Sequence, residues 1–270
     1  MPQLASTLLF PVATVEEDGF LSDCHGHPVF SVALGADASQ REDALAQRLG
    51  AHAGGHDRAS YAARVAPDEV AALRGLCRAG FYPVELALTL RAEPAVALAR
   101  AEAEPLDLVV RRAAPGDEAV VLEIAATAFR YSRFHVDPGT PDPVADEVKR
   151  RWAANALAGR RGVAIDVVEL DGAVGGFLIA DARRAHGEEM RIIDLVAVAP
   201  HARGRGAGRA LVAAFVREHA PAADALQVGT QLVNEPSLAL YRRFGFLPGN
   251  ARYVLHHHVQ KERIRADRRH

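Results

Sequence analysis

The chain alternates between two hydrophobic rhythms. Apolar residues recur at every second position, or form short β-branched runs, over 28–34, 60–65, 81–90, 106–111, 162–170, 173–180, 190–198, 225–233 and 253–259, and these segments predict strands. Between them, helical spacing predicts helices over 38–49, 67–77, 115–129, 143–157, 206–219 and 236–244. Pro67 and Pro115 stand where a helix start tolerates a missing N–H, and Gly50 and Gly80 where a helix stops. Asp171-Gly172, between two apolar runs, signals a tight hairpin. Residues 92–105, bracketed by Pro94 and Pro105, read as a linker with a short helix in its middle. The pattern predicts an α/β (α+β) chain in two parts. A smaller N-terminal α/β domain with its linker covers 1–105, a larger domain covers 106–260, and 261–270 is a charged, loose tail.

Composition narrows the class without naming a function. The 270 residues are 49% hydrophobic and 24% charged, ordinary for a soluble globular protein. A net charge of -2 carries no nucleic-acid or membrane signature. No apolar run approaches the roughly 18 residues of a membrane-spanning helix. The start, Met1-Pro-Gln-Leu-Ala-Ser-Thr, lacks the basic and small-residue features of a signal peptide. Cys24 and Cys77 do not make a disulfide framework. The expected compartment is the reducing cytoplasm.

Candidate chemistry concentrates after the strand at 190–198. It feeds the loop Arg203-Gly-Arg-Gly-Ala-Gly-Arg209, which opens a helix. A Walker loop needs Gly-Lys-Ser/Thr, which is missing, and a dinucleotide fingerprint from Gly204 needs glycine where Arg209 stands. Arg-x-x-Gly-x-Gly is satisfied by Arg203, Gly206 and Gly208. Glycines let backbone N–H groups approach an anion, and the helix N-terminus adds about half a positive charge. Arg203, Arg205 and Arg209 offer charge-assisted contacts to phosphate.

Val196-Ala197-Val198-x-Pro, this loop and Ala210-Leu-Val212 resemble the acyl-CoA motif of the GNAT acetyltransferase superfamily. A second motif agrees downstream, with Gln231, Asn234, Tyr241, Arg242-Arg243 and Gly245-Phe246 in family order. The resemblance covers about residues 106–258. It implies a GNAT fold, a central mixed and splayed β-sheet flanked by helices, beside a smaller N-terminal partial GNAT-like domain. It implies acetyl-CoA as co-substrate. The donor would lie along Val196, Ala197 and Val198, with its pyrophosphate on Gly204, Arg205, Gly206, Ala207, Gly208 and Arg209. Asn234 would hold the CoA arm, Val198 N–H would meet the thioester oxygen, and Tyr241 would protonate the leaving thiolate. Asn234 and Tyr241 are two helical turns apart and can face one cleft. For the base, Glu85, Asp194 and a water all stand open; alternation along the strand puts Asp194 with Val196 and Val198.

A narrower similarity concerns the acceptor. Ser132-Arg-Phe-His-Val-Asp-Pro138, Trp152-x-x-Asn155, Gln231-x-x-Asn234 and Gly80-Phe-x-x-Val-Glu85 resemble TDP-fucosamine acetyltransferases and related sugar-nucleotide N-acyltransferases. The implied acceptor is a nucleotide-linked amino sugar, contacted by Ser132, Arg133, His135, Asp137, Trp152 and Gln231, in direct ternary-complex transfer. Another small amine, such as an aminoglycoside, and a non-catalytic acyl-CoA sensor are the rival readings. No nucleic-acid or membrane partner is expected, and a homodimer is left open. Cys24-His25-Gly-His27 and His256-His-His258 lack a four-ligand set, so no metal is expected.

Overall fold

Apolar faces along this chain close into separate cores. In the computed structural model, which describes residues 8–10, 12–105, 107–185 and 187–261, Met1–Glu85 with Arg252–His270 form one unit and Leu86–Ala251 a second. The predicted loose tail lies, apart from Lys261, outside the described residues. No helix among the described residues is long and apolar enough to cross a membrane.

The first unit runs through β1 (Leu8–Phe10), β2 (Ala13–Glu17), α1 (Gly19–His25), β3 (Val29–Leu34), α2 (Glu42–Gly54), β4 (Arg58–Val65), α3 (Val70–Arg78) and the start of β5 (Tyr82–Ala92). The first three elements have no counterpart in the pattern reading. They are too short to show a period; α1 depends instead on its cap, the Asp18 carboxylate accepting the Leu21 N–H at 2.9 Å. Gly50 does not end α2. It sits on the exposed face, while Leu45, Leu49 and Ala53 on the other face are buried and carry the helix past it. Packing outweighs a glycine's helix cost of about 1 kcal/mol. These side chains share a core with Tyr61, Val65 and Leu76.

The second unit continues with α4 (Pro94–Glu102), β6 (Val110–Arg112), α5 (Glu118–Thr127), α6 (Asp142–Leu157), β7 (Ala164–Leu170), β8 (Ala173–Ala185), β9 (Glu188–Val198), α7 (Ala207–His219), β10 (Ala225–Gln231), α8 (Glu235–Arg243) and the first residues of β11 (Leu247–Gln260). Its strands lie in the order β5-β10-β9-β8-β7-β6. Only the β10–β9 pair is parallel, so the sheet is mixed. One face carries α4, α7 and α8 around Leu211, Phe215 and Phe244; the other carries α5 and α6 around Val121, Val167 and Phe177. The Asp171-Gly172 hairpin forms as predicted, with φ of 53° and 78°.

Two boundaries differ from the sequence reading. Residues 92–105 are not a linker: α4 buries Ala97 and Ala101 completely in the α7 core, which moves the boundary from 105/106 to 85/86. Beyond Arg252, β11 pairs with β4, Tyr253 opposite Val65 through Gln260 opposite Arg58, and so belongs to the first unit. Periodicity marks an element's buried face but not the core that buries it.

On β8, one glycine leaves no room for a side chain against β9. A Cβ on Gly176 would stand 2.7 Å from the Ala197 carbonyl oxygen and 3.3 Å from Val198 Cα. Gly176→Ala is therefore expected to cost about 1–3 kcal/mol in urea unfolding, the range for overpacking; an unchanged midpoint would show that the strands yield freely there.

Candidate active site

The site is built where two strands part. β10 pairs with β9 only from Ala225 opposite Met190 to Val228 opposite Ile193. The cause lies on the other side of β9. There Ala180 faces Ile193 but Ile179 faces Leu195, so Asp194 is an extra residue, a β-bulge. A bulge bends its strand and increases the twist. Past it, β9 continues against β8 alone while β10 runs to Gln231 against β5. The bulge also resets side-chain parity. Ile193 and Val196, three apart, both pack toward the α7 core, as does Val198; Leu195 and Ala197 pack toward α5 and α6.

This overturns the placement of Asp194 beside Val196 and Val198. Its carboxylate turns to the α6 side, where Arg161 Nε and Nη2 donate to it at 2.6 and 2.7 Å and Trp152 Nε1 at 2.8 Å. Held by three donors and with 7% side-chain exposure, it is an ion-pair partner on the α6 side and does not face the gap as a base beside Val196 and Val198 would. Trp152 is itself covered by two cations, Arg161 at 4.1 Å and Lys149 at 4.7 Å from its ring. Glu85, the other carboxylate considered, is half-buried at the end of the first unit's part of β5.

The loop after β9 has the conformation its glycines imply. Gly204 and Gly206 take φ of 74° and 91°, and Gly206 is the N-cap of α7. The first helical bond runs from Ala210 N–H to the Gly206 carbonyl at 2.9 Å. The N–H groups of Ala207, Gly208 and Arg209 precede it and are free of the helical ladder, at the positive end of the helix dipole. Gly208 is the meeting point: a Cβ there would lie 3.4 Å from Leu240 on α8 and 3.7 Å from Val198 on β9. The arginines rest on protein partners. Arg203 reaches the carbonyls of Val198 and Ala128, both at 3.4 Å. Arg205 pairs with Asp171 at 2.7 Å, and Arg209 with Glu104 at 3.0 Å.

On α8, Asn234 acts first as the helix cap, its Oδ1 accepting the Ser237 N–H at 3.3 Å, which leaves its amide N–H groups for another partner. Tyr241 is 3% exposed and packs with Phe244 and Phe246 in the core that receives Val196 and Val198. Burial raises its phenol pKa above the ordinary 10.0, so the hydroxyl is a proton donor at neutral pH. Gln231 is half-buried at the end of β10, opposite Ala87.

The segment read as acceptor-binding folds as an ordered loop between α5 and α6. Ser132 Oγ lies 2.6 Å from His135 Nδ1, and His135 Nε2 lies 3.0 Å from Asp146 Oδ1. Asp137 accepts from Gly139 N–H and Thr140 Oγ1, each at 3.0 Å. The Arg133 guanidinium covers the Phe134 ring at 4.7 Å. Asp146, Arg161 and Glu104 belong to no sequence motif. Each acts through a partner distant in sequence, and no local pattern marks it. In the first unit, His27 Nε2 and His258 Nδ1 meet Ser60 Oγ at 2.8 and 2.7 Å, while His257 stacks on Tyr61.

Residues 124–246 match the profile of the acetyltransferase (GNAT) family. Over 143 residues the chain is 32% identical to the spore coat polysaccharide biosynthesis protein SpsD of Bacillus subtilis (strain 168); the match covers 53% of this chain and 48% of that protein, so it spans about half of the relative's length. A functionally unknown conserved protein from Staphylococcus epidermidis ATCC 12228 shares the fold with a TM-score of 0.62, at 11% identity over 94% of both chains. A GCN5-related N-acetyltransferase from Kribbella flavida does so with a TM-score of 0.58, at 16% identity over 94% of this chain and 89% of that one. The mixed sheet with helices on both faces is the fold the sequence resemblance implied.

Asp194→Asn tests the ion pair. Because Arg161 is partly solvated, the expected loss is modest, about 1–3 kcal/mol in urea unfolding. The acid limb of any pH–rate profile should stay in place; its disappearance would return Asp194 to the role of base.

Proposed function

From the match of residues 124–246 to the acetyltransferase (GNAT) family profile, we propose that this chain belongs to that family and transfers the acetyl group of acetyl-CoA to an amine. One observation carries this reading: the gap opened by the bulge, the glycine loop at the α7 N-terminus and the helix bearing Tyr241 converge at Gly208. An extended pantetheine arm suits the free edge of β9, and a pyrophosphate suits the N–H groups of the α7 start. The unused amide of Asn234 is available to the arm.

The reaction needs no covalent enzyme intermediate. The amine nitrogen attacks the thioester carbon, the C–N bond forms, and the oxyanion draws a hydrogen bond from Val198 N–H. Collapse breaks the C–S bond and expels the thiolate, which takes up one proton as the amine loses one. A thiol pKa of about 8.5 lies below a phenol's of about 10, and burial widens that difference. Tyr241 thus acts as a positioned hydrogen-bond donor to the developing thiolate. With Asp194 committed to Arg161, the amine proton passes to water. Glu85 is given no step.

For the acceptor we propose a nucleotide-linked amino sugar. The relative whose name refers to polysaccharide biosynthesis supports a sugar. The loop of Ser132, Arg133, His135 and Asp137 is the proposed acceptor side: Ser132, His135 and Asp137 are hydrogen-bonded within the protein and would shape it, while the half-buried Arg133, with Trp152 and Gln231 beside the parted strands, would meet hydroxyls and phosphate. The direct test is mass spectrometry after incubation with acetyl-CoA and a panel of dTDP- and UDP-amino sugars, with aminoglycosides as the rival class. Acetylation of an amino-sugar nucleotide is the expected result. Turnover of aminoglycosides alone would replace the acceptor class, and acetyl-CoA binding without turnover of any amine would leave a sensor.

Tyr241→Phe should leave acetyl-CoA affinity unchanged and lower kcat by about 10²–10⁴, the range for positioned acid–base groups. Since the phenol pKa is raised, wild-type kcat should show no loss attributable to this residue up to pH 10.0. An unaltered kcat in the variant would remove Tyr241 from the mechanism.

A further inference from the structure

One buried carboxylate ties the two motifs together. Glu104 follows α4, in the stretch whose pattern suggests only a linker. Its side chain is 5% exposed, yet both its arginine partners stand about half in solvent, Arg209 at 47% and Arg243 at 53%. One carboxylate oxygen accepts from Arg209 Nη1 at 3.0 Å, the other from Arg243 Nε at 2.5 Å. Its backbone carbonyl accepts from Arg217 Nη2 at 3.0 Å. Arg209 is in the first turn of α7, and Arg243 is the last residue of α8, two beyond Tyr241. From α4 itself, Arg100 Nη1 donates to the Arg242 carbonyl at 3.0 Å, at the negative end of α8.

The consequence for Arg209 is specific. Its guanidinium lies over the N-cap, with Nη2 3.3 Å from the position of a Cβ on Gly206. A long exposed side chain would otherwise sample many rotamers, at an entropy of about 2 kcal/mol. Glu104 removes most of that freedom through one nitrogen and leaves the rest of the fork over the helix N-terminus.

We propose that Glu104 is a positioning residue for the donor site: it holds the Arg209 guanidinium over the α7 N-terminus, where the phosphates of acetyl-CoA bind, and fixes the end of α8 against that same point. This rests on the acyl-CoA reading of the loop. Its general principle is that a charge fixed in advance binds an anion better than a mobile one.

Glu104→Gln keeps the volume and loses the charge. Binding is measured by titration with acetyl-CoA and with S-acetylpantetheine, which lacks the phosphates. Acetyl-CoA affinity is expected to fall about fivefold to twentyfold, the scale of one charge-assisted contact, with S-acetylpantetheine within about twofold of wild type. In a double-mutant cycle, Glu104→Gln should cost acetyl-CoA affinity less in the Arg209→Ala background than in wild type, because its effect on phosphate binding runs through Arg209 and only the Arg243 contact remains to be lost. Equal weakening of both ligands, full additivity in the cycle, or unchanged acetyl-CoA affinity would each overturn the proposal. Should Glu104→Gln fail to fold, Arg209→Lys keeps the charge and loses the fork; the same selective loss of acetyl-CoA affinity is expected, and its absence overturns the proposal equally. If wild-type protein binds S-acetylpantetheine and acetyl-CoA with equal affinity, phosphate recognition by the loop is what fails; if it binds neither, the donor reading itself fails.

Discussion

The extra residue in β9 is the constraint on which the second unit's site depends. A regular parallel ladder between β9 and β10 would satisfy every backbone group between them and leave no edge for a ligand. The bulge at Asp194 ends that ladder after four residue pairs. The same residue then stabilises the distortion it creates. Its carboxylate takes both donors of Arg161 and the indole N–H of Trp152. A buried carboxylate left unpaired would be costly, and its two partners lie on the far side of the sheet from Val196 and Val198. The charge is thereby kept out of the gap that a neutral thioester arm would enter.

The glycine loop before α7 shows a second arrangement of the same kind. Glycines at Gly204 and Gly206 supply the left-handed backbone that β-carbon-bearing residues avoid, and the α7 start supplies a partial positive charge. Three arginines surround it, and each has a protein partner. Those partners differ in kind. The Arg205–Asp171 pair is solvated on both sides, so the phosphate proposed for this loop would exchange for it readily. Glu104 is buried and does not exchange in that way. One arginine can be recruited, and the other is set in place.

Burial decides the chemistry of Tyr241 as firmly as sequence position does. Packed with Phe244 and Phe246, the phenol keeps its proton, which suits a donor and excludes a base. Desolvation likewise raises the pKa of Tyr61 in the first unit, where its hydroxyl lies 2.9 Å from His52. Shifts in the same direction thus arise in a candidate site and in a structural cluster, and the surroundings of each group, not its pKa, separate the two.

Much of this protein was legible from its residues. The strand, glycine loop and helix from 190 to 219, the Asp171-Gly172 hairpin and the helix opening at Glu235 follow from local rules: alternation, positive φ, capping and dipole. Those rules act over a few residues, so the sequence by itself determined the fold class and the motif that suggests acetyl-CoA. What needed long-range contacts needed the tertiary structure. Strict alternation put Asp194 with Val196 and Val198, because a bulge is a mismatch between two strands and neither strand announces it alone. Residues 92–105 looked like a linker because nothing local tells Ala97 and Ala101 that α7 covers them. Glu104 and Arg161 stood outside every motif, since an ion pair spanning 105 or 33 residues has no periodicity. Local chemistry chose the elements; which faces and charges meet was decided only when they packed.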